Sequence, residues 1–142
     1  MVVRHALLYG VLYGAECWLI KKSHLQRIKV TEMRIIRWMC GHTMLNKIRN
    51  EVLRGKVGIA SIEDKIRETR LRWFGYIKRR SIDAPVRRCE KIDRSQYKRG
   101  RGRLGKSWSK VIRHDLKTLG LGKDMAQDRR LWRSRTKVVD FR

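Results

Sequence analysis

Lys98-Arg99-Gly100-Arg101-Gly102-Arg103-Leu104-Gly105-Lys106 places five cations in nine residues, with glycine between the arginines. Guanidinium groups spaced in this way fork onto phosphate oxygens, and the glycines let the backbone approach a groove. The same stretch, Gly100 to Ser107, reads GRGRLGKS and formally fits the G-x-x-x-x-G-K-[ST] loop that cradles nucleotide phosphates. That loop needs a buried apolar strand before it and an acidic strand end after it, whereas Arg94 to Arg99 is polar and basic and no such strand follows. Phosphate binding by a flexible strip is the expectation, and nucleotide hydrolysis is not.

Other chemistry is poorly supported. Cys40 and His42 form a C-x-H pair without a second pair at finger spacing, so no zinc site is expected. The cysteines, Cys17, Cys40 and Cys89, are odd in number and include no CxxC, which favours small reduced thiols over a disulfide framework. His24, His42 and His114 are scattered among isolated Asp and Glu and make no catalytic constellation. Neither a cofactor nor a metal is called for. The strip also resembles an AT-hook core, but Leu104 stands where such cores carry Pro.

The whole chain shares the bias of the strip. Its 142 residues hold 37 Lys plus Arg against 13 Asp plus Glu, a formal net charge of +24. Such a field calls for an anionic partner, and nucleic acid is preferred to a membrane surface. The length excludes a multi-domain polymerase. Five Trp, four Tyr and a single Pro argue against a wholly disordered tail, and an intracellular, nuclear location is expected.

The elements that position these residues read as mainly α. The apolar run Ala6 to Ala15, in which Leu-Tyr-Gly occurs twice, is about half the roughly 20 residues needed to span a bilayer and suits a short buried strand or helix. Ser23 with Gln26 forms a capping-box signature before a helix whose face is Leu25, Ile28, Ile35, Ile36, Met39 and Cys40, stopped at Gly41. Asn50 caps a short helix, Glu51 to Lys56, that closes near Gly58. Ser61 with Asp64 opens the best-defined helix, with Ile62, Ile66, Trp73 and Ile77 on its apolar face and Thr69 and Tyr76 alongside. Its acids, Glu63, Asp64 and Glu68, lie in the first half; the second half, with Arg70, Arg72, Lys78, Arg79 and Arg80, is cationic. The segment Ser81 to Pro85 breaks that helix, and Val86 to Asp93 is ambiguous. Ser107 caps a helix with Trp108, Val111, Ile112, Leu116 and Leu119 on one face, stopped at Gly120, and Asp124 with Gln127 opens a last helix. Trp38, Trp73, Trp108 and Trp132 could serve as base-stacking platforms, but at helical spacing beside Ile and Leu they read first as core.

Several segments together carry a family resemblance: EMRIIRWMCGH from Glu32, KIRNE from Lys47, KVGIASIEDKIRETRLRWFGYIKRR from Lys56, DAPVRRC from Asp83, KRGRGR from Lys98 and DMAQDRRLW from Asp124. In order and spacing they resemble the C-terminal, thumb and post-thumb, region of plant LINE-class non-LTR retrotransposon reverse transcriptases. VVRHALLYG and YGAECW resemble the palm-to-thumb junction of that family. The resemblance implies four segments: a junction remnant over 1–20, a helical thumb-like region over 21–80, a basic linker over 81–106 and a C-terminal helical pair over 107–142. It also implies a grip on RNA, DNA or an RNA–DNA hybrid, with the catalytic half of the polymerase as a further partner. Family members hold paired metal ions on a Tyr-x-Asp-Asp turn upstream of this region, and this chain has no Asp-Asp, so no enzyme activity of its own is expected. The contact residues so implied are Arg70, Arg72, Trp73, Phe74, Arg99, Arg101 and Arg103; the charge layout adds Lys78, Arg79, Arg80, Lys98 and Lys106, and Trp73 and Phe74 are the stacking candidates. His5, Tyr76 and Leu104 replace the Pro, His and Pro common in relatives, in keeping with a degenerate element copy. The other class of reading is an independent basic protein of the ribosomal or chromatin kind.

Overall fold

The computed structural model of the chain describes residue 14, residues 20–90 and residues 107–139. The apolar N-terminal run, the paired Leu-Tyr-Gly steps and the whole strip from Lys98 to Lys106 lie outside the described residues. Within them the protein is mainly α-helical, and no strand occurs among them.

Helix α1, Lys22–Met39, begins with Lys21 as its N-cap, and Leu25 N donates to the Lys21 carbonyl at 3.0 Å. Ser23 is therefore already inside the helix and cannot supply the expected capping box. Gly41 ends the run at φ +67, where an L side chain would be strained, and His42 N returns to the Arg37 carbonyl at 2.9 Å. A short 3-10 turn, Met44–Asn46, follows, closed by the Asn46 side chain accepting from Thr43 N at 2.7 Å. Helix α2 spans Asn50–Val57 and stops at Gly58, φ 70. Arg49, not Asn50, is its N-cap, because the Asn50 side-chain oxygen is taken by the Arg37 guanidinium at 2.7 Å.

Helix α3, Ile62–Arg79, starts where Glu63 N donates to Ser61 Oγ at 3.3 Å, so Ser61 caps it as expected, while the Asp64 carboxylate is held by Arg67. Its buried face then turns along its length. Ile62 and Ile66 are buried in the first half, but in the second half burial passes to Leu71, Phe74 and Ile77. At about 100° per residue, Leu71 lies half a turn round from Ile62, so Trp73, expected in the apolar stripe, is only half-buried. Helix α4, Pro85–Glu90, settles part of the ambiguous stretch: Pro at a first helical position forfeits no intrahelical donor.

Helix α5, Trp108–Leu119, is capped by Ser107, whose side chain accepts from Lys110 N, and ends at Gly120, φ 63. Its buried residues are Ile112, Asp115 and Leu116, while Leu119 is exposed. The last helix does not open at Asp124. Asp124–Ala126 is an isolated 3-10 turn, and α6, Arg129–Thr136, is capped by Asp128, whose carboxylate accepts from Arg130 N at 2.8 Å and Leu131 N at 3.0 Å.

The chain divides into two compact units, and the division falls between Arg70 and Leu71, within α3. The first takes the described residues 20–70 and 137–139. Its core joins Met33 and Ile36 of α1 to Leu53, Val57 and Ile59, and a second cluster sets Ile62 and Ile66 against Ile20, Leu25 and Ile28. The second unit takes described residues 71–90 and 107–136, with a core of Leu71, Phe74, Ile112, Leu116, Ala126 and Trp132, flanked by Trp108, Leu121 and Met125. The core reading thus holds for Trp132 and, in part, for Trp108. It fails for Trp38, which is 80% exposed because the inward face of α1 is supplied by Glu32, Met33 and Ile36.

Candidate nucleic-acid interface

The second half of α3 positions the candidate residues by fixing one side of the helix. Trp132, 1% exposed, donates its indole N–H to the Leu71 carbonyl at 2.8 Å, and Phe74 packs between Trp108 and Trp132 at centroid separations of 6.3 Å and 5.9 Å. Phe74 is 3% exposed and fully engaged by those rings, so it is a core residue and not a stacking platform for a base. With that side locked, the opposite stripe faces solvent.

On that stripe the Trp73 and Tyr76 rings are stacked, 5.1 Å apart and 20° from parallel, and the Arg80 guanidinium lies 4.5 Å from the Tyr76 centroid. Three flat groups thus form one row along the end of α3, Trp73 and Tyr76 on the helix at i and i+3 and Arg80 just past its last residue. Tyr76 and Arg80 are exposed, as is Arg72, one turn before Tyr76. A cation over a tyrosine face is held by the ring quadrupole, which orients the guanidinium without neutralising it. Tyr76, read from the sequence only as a flank of the apolar face, is the centre of the row. Its signal was its place midway between Arg72 and Arg80 at four-residue steps.

The other candidates separate from this row. Lys78 pairs with Glu90 at 2.7 Å and lies 5.5 Å from the Phe74 centroid, and Arg79 donates to the Ala126 carbonyl at 2.7 Å. Both cations therefore fasten α3 to neighbouring segments of the second unit. Burial, and after it the nearby Arg129 charge, lower the Arg79 pKa, although a guanidinium stays protonated across the accessible pH range. Arg70 belongs to the first unit, where its charge acts on Glu63. Lys98, Arg99, Arg101, Arg103 and Lys106 lie outside the described residues.

Cations that the sequence did not single out as contacts join the second unit's surface. Trp132 faces the core while Arg129, Arg130, Arg133 and Arg135 of α6 are all exposed, and Lys110, Arg113 and Lys117 are exposed on α5. A tryptophan ringed by arginines on an eight-residue helix was the available signal, since Trp132 and Thr136 alone face inward and leave the remaining positions to solvent. The acids are mostly committed: Asp128 caps α6, Glu90 holds Lys78 and Arg87, and Asp115 is buried. In the first unit, Glu63 pairs with Lys29, Asp64 with Arg67 and Glu32 with Arg54.

Among the described residues no group of three His, Cys, Asp or Glu is placed to hold a metal ion, and no helix is long and apolar enough to cross a membrane. Compared with known proteins, the chain matches no family model, no curated protein and no solved structure.

Proposed function

We propose that this chain is a nucleic-acid-binding helical module, akin to the thumb and post-thumb region of LINE-class reverse transcriptases, that grips a phosphate backbone without carrying out chemistry itself. The observation that carries the reading is the row Trp73–Tyr76–Arg80 at the end of α3, with Arg72 and Arg80 exposed beside it and no acid in the sequence from Thr69 to Arg80. Planar groups already stacked can be extended by a base or a sugar face, and the cations around them attract phosphates from any sequence. RNA, DNA and their hybrid all offer that chemistry, and the polymerase's catalytic half is the protein partner that the family resemblance implies. The double variant Arg72→Gln/Arg80→Gln tests it: affinity falls for every nucleic acid alike, and log affinity against log salt becomes shallower by about 0.9 for each phosphate that is no longer neutralised. Unchanged affinity and slope would remove this face from the interface.

A second reading, an independent basic protein of the ribosomal or chromatin kind, is favoured by one observation: the buried clusters are built from the chain's own side chains, Leu53 and Leu71 being fully enclosed at 0% exposure. A single cooperative thermal transition of the isolated chain supports it, and a broad, non-cooperative loss of helix contradicts it.

A further inference from the structure

The proposed function leaves Trp38 unused, although it is the most exposed aromatic side chain described, at 80%. It sits at the end of α1, where the chain turns at Gly41 into the 3-10 turn that carries Met44 and Leu45, themselves 73% and 88% exposed. This is an ordered presentation. Thr43 N and Oγ1 both reach Asn46 Oδ1, at 2.7 Å and 3.1 Å, and Lys47 closes the turn at φ 48. Arg37, beside Trp38, holds the next segment by donating to the Ile48 carbonyl at 3.2 Å and to Asn50 at 2.7 Å. That fixes Lys47 and Arg49 near the end of α1, and Arg34 lies one turn back from Trp38 on the same helix; all three are exposed.

Three large apolar groups left open within one helix end and the turn after it mark a candidate interaction surface. The charge pattern selects its partner. From Met33 to Ala60 the only acid is Glu51, and with Arg54 paired to Glu32 it stands against Arg34, Arg37, Lys47, Arg49 and Lys56. A protein partner of ordinary composition would bring cations to that field, whereas a polyanion that also offers flat apolar faces matches both the charge and the indole. Duplex bases are buried in their own stack; only unpaired bases expose a face to a tryptophan standing on a helix.

Resting on the nucleic-acid reading above, we infer that Trp38 is a stacking platform for an unpaired base of single-stranded nucleic acid, with Arg34, Lys47 and Arg49 on the flanking phosphates. It is a second contact, in the first unit, and it distinguishes single strands from duplex.

The test compares full-length wild type, Trp38→Ala and Trp38→Phe for binding to one labelled single-stranded oligonucleotide, as RNA and as DNA, and to the duplex of the same sequence. Trp38→Ala is expected to lose about tenfold or more in single-strand affinity while duplex affinity stays within about twofold, and Trp38→Phe is expected to keep most of the single-strand affinity. An unchanged single-strand affinity overturns the inference, as does an equal loss on both ligands. Sedimentation of the wild type as a dimer that Trp38→Ala dissolves also overturns it, by assigning the patch to a second copy of the chain. The two proposals fail separately. If Arg72→Gln/Arg80→Gln weakens duplex binding while Trp38→Ala changes nothing, the α3 interface stands and the Trp38 site falls; a wild type that binds none of the ligands removes both.

Discussion

The indole of Trp132 occupies the space that a side chain on Gly75 would fill: a Cβ there would stand 2.4 Å from Nε1 and 2.6 Å from Cδ1. The indole cannot retreat, since it is 1% exposed and tied to the Leu71 carbonyl at 2.8 Å. Ala is ordinarily better than Gly inside a helix by about 1 kcal/mol. Here overpacking, on the order of 1–3 kcal/mol, opposes and exceeds that gain. With the indole unable to retreat, the cost lies toward the upper end of that range, so Gly75→Ala is expected to lower the urea midpoint, with a net loss of up to about 2 kcal/mol, and a raised midpoint would refute the packing described.

The buried pair of the first unit gives an asymmetric expectation. Arg54 donates to Glu32 Oε2 at 2.7 Å, while Glu32 Oε1 and Arg54 Nε are buried without a hydrogen-bond partner. Removing one charge leaves the other enclosed and unpaired, which costs about 3–5 kcal/mol; replacing both by apolar groups of similar size is near neutral or stabilising. Arg54→Met should accordingly destabilise strongly in denaturant titrations, and Glu32→Leu/Arg54→Met should recover most of the loss. Equal stability of the single variant and wild type would contradict this.

Legibility in the sequence followed the range of the forces involved. Helix stops set by backbone conformation were readable, because Gly41, Gly58 and Gly120 each adopt a positive φ that side chains disfavour. The Ser107 cap was readable for a similar local reason. A cap decided by a distant partner was not: Asn50 gave its side chain to Arg37; and of two acids able to cap the last helix, Asp128 and not Asp124 opens it. The face of α3 was read correctly for Ile62, Ile66 and Ile77 and misassigned at Trp73, while Phe74, a stacking candidate, lies in the core, because a single apolar stripe cannot show a helix changing packing partners between its two halves. Trp38 was read toward the core by its Ile and Met neighbours, yet Met33 and Ile36 fill that role.

Acid should weaken the first unit through Glu63. The hydrogen bond from Lys29 holds this carboxyl below its ordinary value of 4.5; partial burial opposes the shift, and the charges of Lys29, Arg67 and Arg70 add to it. A carboxylate whose folded pKa is depressed contributes stability that is present above the unfolded pKa and lost as pH falls through the folded value. The stability gap between wild type and Glu63→Gln should therefore be present at neutral pH and close as melts are taken below pH 4.5. A gap that persists unchanged to about pH 3 would show that Glu63 acts by packing and not by charge.

The Gly/Arg strip should add to the electrostatic part of binding. Replacing Arg99, Arg101 and Arg103 by Gln is expected to reduce the salt slope by up to about 0.9 for each arginine that neutralises a phosphate, with similar losses across sequences. Salt titrations of the triple variant check this, and an unchanged slope removes the strip from the interface.

The most direct test of nucleic-acid binding is fluorescence anisotropy of labelled RNA–DNA hybrid, duplex DNA and single-stranded RNA, each titrated with the purified chain across a series of salt concentrations. The expected result is saturable binding to all three, linear and steep in log salt, largely independent of sequence and strongest for the hybrid. Absence of saturable binding, or affinity that does not change with salt, would contradict it.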